Sequence, residues 1–499
     1  MPTKQTVSAV NRFGLGAKPG ELAQASDPRG WLGDQLRHAP DAGEFQSLPA
    51  SLNILKGEYA YRAQRRAEKT ANPPAVGNNP SGNGVADVDA TRSKRKSARK
   101  TAMAADGAQP EGNASRRALA RDNLSDIAAR YHHAAATSQP FVERLVRFWS
   151  NHFAVSVDKG PARLYAAPME REAIRPHVLG NFSDLLLAVE THPAMLRYLD
   201  NAASVGDRSL FVERAARRAQ RTDKPARKLG INENLAREIL ELHTLGADTG
   251  YTQADVTELA RAITGWGVPL PRDVDAAQTA FAYRQNAHEP GARRLLGKSY
   301  AEAGQSQGEA MLRDLALNPA TARHLSRKLA THFVSDTPPS SLIDRMAKAY
   351  LGSGGQLTAL YRTLIDDAAA WSPEARKYKT PDDFVVSAMR AGSIALDARP
   401  RELLVLLQSL GQPVFTPRSP AGFPDTASDW AAGDALRKRL QAATTFAERV
   451  QRAVDPLQLA QDTLGDAVTG DFAAILRRAG SPQEGYAVVF ASPAFQWRA

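Results

Sequence analysis

The segment Asn232–Gly246, NENLAREILELHTLG, concentrates side chains that could do chemistry. On a helix turning about 100° per residue, Leu235, Ile239 and Leu242 make a buried stripe, with Ala236 and His243 beside it. Asn234, Glu238 and Glu241 fall within about 60° of one another on the far side. Two carboxylates held close share a proton or bind a divalent cation. Arg237 stands four residues before Glu241 and is spaced to pair with it. The ordinary alternative is a solvated helix face, since Glu and Arg are common surface residues.

Three histidines stand out elsewhere. Between Phe141 and Ser156, Leu145, Phe148 and Trp149 form an apolar face with His152 in its middle, and Asn151 sits on the polar side. A histidine so placed is ordinarily a core residue with one hydrogen bond; the alternative is a ligand or base. His288 lies in an irregular stretch with Lys298 and Tyr300, where a loop histidine is freer to meet a ligand. His332 falls on an apolar face and reads as structural. The segments SNHFAVS and THFVSD echo one another around His152 and His332, and the echo reads as coincidence rather than duplication.

The elements that must position these groups are helices. Asp27-Pro28 is an N-cap followed by proline at the first helical position. Leu52 to Glu68 is a second helix. Beyond residue 115 apolar residues recur every three or four positions, among good helix formers, almost to the end. Gly246 stops the Asn232 helix, and Thr252 with Asp255 (TQAD) opens the next as a capping box. Residues 268–300 are irregular, with one β-like piece around Thr279 to Arg284, and Gly411 to Trp430 form a second Pro- and Gly-rich loop. The expected fold is mainly α: a multi-helix globular body with long ordered loops and little or no sheet. Its parts are a helical segment over 1–69, a disordered basic insertion over 70–113 and a helical body over 114–499, with possible divisions near 268–300 and 411–430.

Composition narrows the chemistry. The chain of 499 residues is 43% hydrophobic and 23% charged, as globular proteins are. It has no cysteine, so disulfides, thiolate metal sites and cysteine nucleophiles are excluded. The net charge is +11, but TRSKRKSARK at 91–100 carries six basic residues, and taking those six from +11 leaves +5. Nucleic acid is therefore not the expected partner of the folded body. The N-terminus lacks the apolar core of a secretory signal, and no run is long enough for a membrane span, so the expected location is the cytoplasm. No HExxH, GxxxxGK[ST] or GxSxG motif is present. The G-x-G of FGLGAKPGE follows no strand.

The segments NRFGLGAKPGEL, RLVRFWSNHFAVS, NENLAREILELHTLG, YTQADVTELARAITGW, HEPGARRLLG, RHLSRKLATHFVSDTPP, KTPDDFVVSAMRA, LGQPVFTPRSPAGFP and SPAFQWR occur in this order. Together they resemble the bacterial domain-of-unknown-function 1800 family. The resemblance implies a largely helical fold. It also implies a partner encoded beside the gene, from a second uncharacterised family, number 1501, that looks related to sulfatases and alkaline phosphatases. Many relatives carry export signals, which makes a periplasmic or exported location the alternative. The family's polar positions map to Trp149, Asn151, His152, Asn234, Arg237, Glu238, Glu241, Asp255, Arg261 and His288. The loop histidine is commonly followed by Asp; here Glu289 follows His288.

The expected function is an enzyme, a hydrolase or transferase, acting on a polar or anionic substrate. Glu238, Glu241, His152 and Arg237 are its catalytic candidates. Trp149, Asn151, Asn234, Arg261 and His288 are its binding candidates, and Glu238, Glu241, His152 and His288 are candidate ligands for a divalent metal ion. The alternative is a helical binding or assembly protein working with the neighbouring gene's product, its polar residues forming buried ion pairs.

Overall fold

In the computed structural model, the described residues are 2–71, 110–222, 229–247, 249–372, 374–451 and 454–498. The insertion expected over 70–113, with its basic run, lies outside them except at its ends, which are helical. The principal helices are α1 (Pro28–Gln35), α2 (Ser51–Ala71), α3 (Pro110–Ala136), α4 (Pro140–His152), α5 (Phe182–Glu190), α6 (Leu210–Thr222) and α7 (Asn234–Glu238). After them come α8 (Gln253–Ala262), α9 (Gln305–Ala316), α10 (Pro319–Phe333), α11 (Ser340–Gly352), α12 (Leu357–Asp366), α13 (Pro381–Gly392), α14 (Gly433–Ala447) and α15 (Pro482–Ala491). Sheet is confined to three antiparallel pairs: β1 (Trp266–Gly267) with β2 (Ala282–Tyr283), β3 (Arg293–Leu295) with β4 (Lys298–Tyr300), and β5 (Lys377–Tyr378) with β6 (Trp497–Arg498). The fold is mainly α. Among the described residues no helix is long and apolar enough to cross a membrane.

Local sequence sets the helix starts. Asp27 accepts from the Gly30 N–H ahead of α1, with Pro28 at the first position. Thr252 and Asp255 exchange the two bonds of a capping box at α8. Asn318-Pro319 opens α10 and Thr380-Pro381 opens α13 in the same way.

Two large apolar cores result. The first takes Phe141, Leu145, Phe148 and Trp149 from α4 and Leu325, Leu329 and Phe333 from α10. The second takes Phe384 and Met389 from α13, Phe446 from α14, Phe490 from α15, and Tyr131 from α3. Each large side chain fully buried this way contributes roughly 1.5–3 kcal/mol. The first core ends at Ala375 and the second begins, along this stretch, at Phe384.

Charged residues sit at that seam. Glu143, Arg144 and Arg147 of α4 are buried along with its apolar residues. Arg144 reaches Asp383 at 2.8 Å and Arg147 reaches Asp382 at 2.5 Å, both acids in the first turn of α13. Glu143 pairs with Arg175 at 2.7 Å. The N-terminal G-x-G is held the same way. Arg144 Nε donates to the Gly14 carbonyl at 2.5 Å, and Arg390 Nε donates to that of Gly16 at 2.7 Å. Gly16 has φ +96, and a Cβ there would stand 2.7 Å from the Ser387 side chain, so the position needs glycine.

Candidate functional site

Sequence spacing places Asn234, Glu238 and Glu241 on one α-helical face with Arg237 set to pair with Glu241, and the structure corrects this. The α-helical turns of α7 end at Glu238, and Ile239–His243 form a wider π turn. The change of pitch removes the Arg237–Glu241 pair. Arg237 instead meets Glu233 at 3.4 Å and Gln253 at 2.9 Å, and Glu241 accepts from Tyr251 at 3.4 Å. Asn234 is exposed; Arg237, Glu238 and Glu241 are half-buried. Burial raises the Glu238 carboxyl above its usual value, with Glu241 adding to the rise.

The remaining expected residues are scattered. Trp149, a binding candidate, is fully buried and donates Nε1–H to Tyr361 at 2.7 Å. Asp255 caps α8 and accepts from the Leu296 N–H at 2.8 Å, and Arg261 pairs with Glu258 at 2.5 Å. His288 is buried, with Nδ1 3.1 Å from the Thr264 carbonyl and Nε2 3.5 Å from Glu302. Glu289, where Asp is common, accepts two 2.7 Å bonds from the backbone N–H and side chain of Arg208. Among the described residues no group of three or more His, Asp or Glu side chains is placed to hold a metal ion. Glu238, Glu241, His152 and His288 thus do not assemble as the expected ligand set.

His152 and Asn151 do meet a cavity, of about 360 Å3, walled by α4, α10, the start of α13 and the 411–430 loop. His152 is 1% exposed. Its Nε2–H donates to the His243 carbonyl at 3.1 Å, and its Nδ1 is buried without a partner. His243 turns away to Glu190, at 2.7 Å. Asn151 lies at the loop: its Nδ2 donates to the Phe423 carbonyl at 2.9 Å, and Phe423 N–H donates back to Oδ1 at 2.8 Å. A smaller hollow of about 70 Å3 adjoins it, sharing Arg147, Asn151, Asp382, Gln412 and Phe423. A larger cavity, about 840 Å3, is lined by Val205, Phe211 and residues within 268–287, and takes none of the expected site residues.

Sequence reasoning missed the wall supplied by α10. His324, Lys328 and His332 are spaced i, i+4, i+8, so they share one helix face, and all three line the cavity with Arg327. His332, read from sequence as structural, donates Nδ1–H to Asp425 at 2.7 Å and accepts from Arg498 at 3.5 Å. Burial outweighs Asp425 and lowers the His332 pKa. Burial also lowers His152 well below the ordinary imidazole value and His324 to about 4, with the Lys328 charge acting on both. His324 Nε2–H donates to the Leu242 carbonyl at 3.1 Å, which pulls the pKa the other way, but burial and Lys328 prevail and the imidazole is neutral at neutral pH. Burial pushes the Asp425 carboxyl up, but His332, Lys377 and Arg498 outweigh it and hold the carboxylate charged.

Fold and site define a mainly helical globular protein with a polar, histidine-lined cavity. The family model "Protein of unknown function (DUF1800)" matches residues 8–497, and the chain belongs to that family. No curated protein and no solved structure matches it.

Proposed function

We propose that the chain is an enzyme of hydrolase or transferase type acting on a small anionic substrate, and that its site is the cavity at His152 rather than the Asn234–Glu241 stripe. One observation carries the reading. Among the described residues lining the cavity, Arg144, Arg147, His152, His324 and His332 each have a hydrogen-bond partner, whereas Arg327 and Lys328 have no hydrogen bond or ion pair. Two uncommitted cations on a concave wall suit an anionic group of a ligand. Neutral His152, with its free Nδ1, is the proton acceptor of the site.

Calorimetric titration with phosphate, acetate and glyoxylate tests the binding half. Wild type should bind at least one of them, and Lys328→Ala with Arg327→Ala should weaken that binding about tenfold or more, the loss of one charged hydrogen bond or two. Equal affinity in wild type and double variant would sink the assignment. Turnover of p-nitrophenyl phosphate and p-nitrophenyl acetate, compared with His152→Ala, tests the catalytic half.

A second reading, an assembly protein for the neighbouring gene's product, is favoured by α6. That helix carries Arg214, Arg217, Arg218 and Arg221, and its first residues, Leu210 and Phe211, are 50% and 48% exposed. Co-purification with that product, lost on Phe211→Asp, would support it.

A further inference from the structure

We propose that Lys328 is a nucleophilic amine that forms an imine with a small carbonyl compound bearing a carboxylate, a 2-oxo acid or an aldehyde acid, inside the His152 cavity. The inference rests on reading that cavity as the substrate site.

The geometry supplies what such an amine needs. Lys328 is half-buried on the cavity face of α10, between His324 and His332. The carboxylate acting on it is Asp425, and that group is already engaged by His332 at 2.7 Å, Arg498 at 3.6 Å and Lys377 at 3.9 Å. Asp382 and Asp383, which also line the cavity, are taken by Arg147 and Arg144. Lys328 therefore has a charged neighbourhood and no counter-ion of its own. Burial lowers its pKa to about 8 although Asp425 pulls the other way, so the neutral amine is present near neutral pH. A desolvated lysine of this kind is the form that attacks carbonyls. Arg327, next to it and uncommitted, suits the carboxylate of the same molecule.

The step balances without a further reagent. The Nζ lone pair forms a C–N bond to the carbonyl carbon. The two amine protons pass to the carbonyl oxygen, which leaves as water, and a C=N bond replaces C=O. Protonation of the imine nitrogen then gives the iminium that withdraws electrons from the neighbouring carbon. Hydrolysis returns the free amine.

The experiment treats the full chain at neutral pH with glyoxylate and cyanoborohydride, which reduces the imine to a carboxymethyl-lysine, and maps the modified peptides. Binding of glyoxylate without reductant is measured in parallel. The expected result is labelling of Lys328 faster than the average of the other lysines by on the order of tenfold, since more of this amine is neutral, with the site unlabelled in Lys328→Arg. If glyoxylate binds, and Lys328→Ala weakens that binding, but Lys328 labels no faster than the other lysines, the imine is overturned and the anion site stands. If glyoxylate neither binds nor labels Lys328 preferentially, the imine falls, and the anion site falls with it only when phosphate and acetate also fail to bind. Should Lys328→Arg fail to fold, labelling of the wild-type chain alone still decides, because the comparison is between lysines of one molecule.

Discussion

Asn151 and Phe423 exchange two hydrogen bonds, the Asn151 amide donating to the Phe423 carbonyl at 2.9 Å and accepting from the Phe423 N–H at 2.8 Å. One side chain at the end of α4 thus mimics a backbone partner and holds the 411–430 loop against the cavity. The neighbouring Gly422 has φ +86, and a Cβ there would lie 2.4 Å from the Asn151 carbonyl oxygen. Asn151→Ala should cost about 1–3 kcal/mol, because it leaves two backbone groups unpaired. Gly422→Ala should cost at least as much through strain and contact. Urea unfolding and amide exchange across 419–426 measure both. Unchanged exchange in Asn151→Ala would contradict the clamp.

Arg144 and Asp383 carry the seam between the cores. Arg144 is 2% exposed, Asp383 is 8% exposed, and Arg498 Nε approaches the second Asp383 oxygen at 3.5 Å. Burial works against the Asp383 charge, and Arg144, Arg498 and His332 more than restore it, holding the carboxyl far below its usual range. Removing one partner leaves a buried charge short of compensation, so Arg144→Ala should lose roughly 3–5 kcal/mol in urea unfolding. A loss below about 1 kcal/mol would mean that water reaches Asp383 freely.

Stability should fall as pH drops below the ordinary histidine range. His152, His324 and His332 all titrate lower in the folded chain than in the unfolded one, His324 at about 4. Above about 6.5 neither state binds the proton and the contribution is complete. Between there and about 4 the unfolded chain takes up protons that the folded chain refuses, which favours unfolding. Urea midpoints should therefore decline over this window, and His324→Asn should decline less steeply. A midpoint that rises on acidification over the same window would contradict the assignment.

Arg237→Ala and Glu241→Ala should be mild. Arg237 has a side chain 41% exposed and pairs with Glu233, 33% exposed, one helical turn away. Exposed pairs of this kind contribute less than about 1 kcal/mol. Each variant should keep its midpoint nearly unchanged, and neither should alter anion binding at the Lys328 cavity. Loss of that binding in Glu241→Ala would restore the stripe as part of the site.

The sequence made the helices legible because their boundaries are local. Asp27-Pro28 and Thr252-x-x-Asp255 carry their caps within four residues, and both appear as expected. The stripe at Asn234–Glu241 failed for a reason that spacing does not reveal: a π turn at Ile239–His243 breaks the 3.6-residue period on which the face was drawn. The sequence groups His152 and Asn151 with the Asn234–Glu241 stripe, whereas in the structure they line the α10 cavity. Their real neighbours come from positions such as His324, Lys328 and Asp425, far along the chain. The i, i+4, i+8 row on α10 was visible as spacing, yet a lysine between histidines reads as an ordinary amphipathic helix until its surroundings are known. Arg144 and Arg147 carry no signal of their own in the sequence, because their acids, Asp383 and Asp382, lie in a different helix.

The seam also sets an order of events for a chain made from its N-terminus. Arg144 waits for Asp383 across 239 positions, roughly 10 to 50 s at common translation speeds. Fully buried Arg498, which touches both Asp383 and Asp425, arrives later still. Until then α4 must keep its guanidinium groups hydrated, which disfavours premature closure of the first core around them. A chain stalled between Asp425 and Arg498 therefore has every residue that lines the cavity, but lacks the guanidinium that faces Asp383 and Asp425.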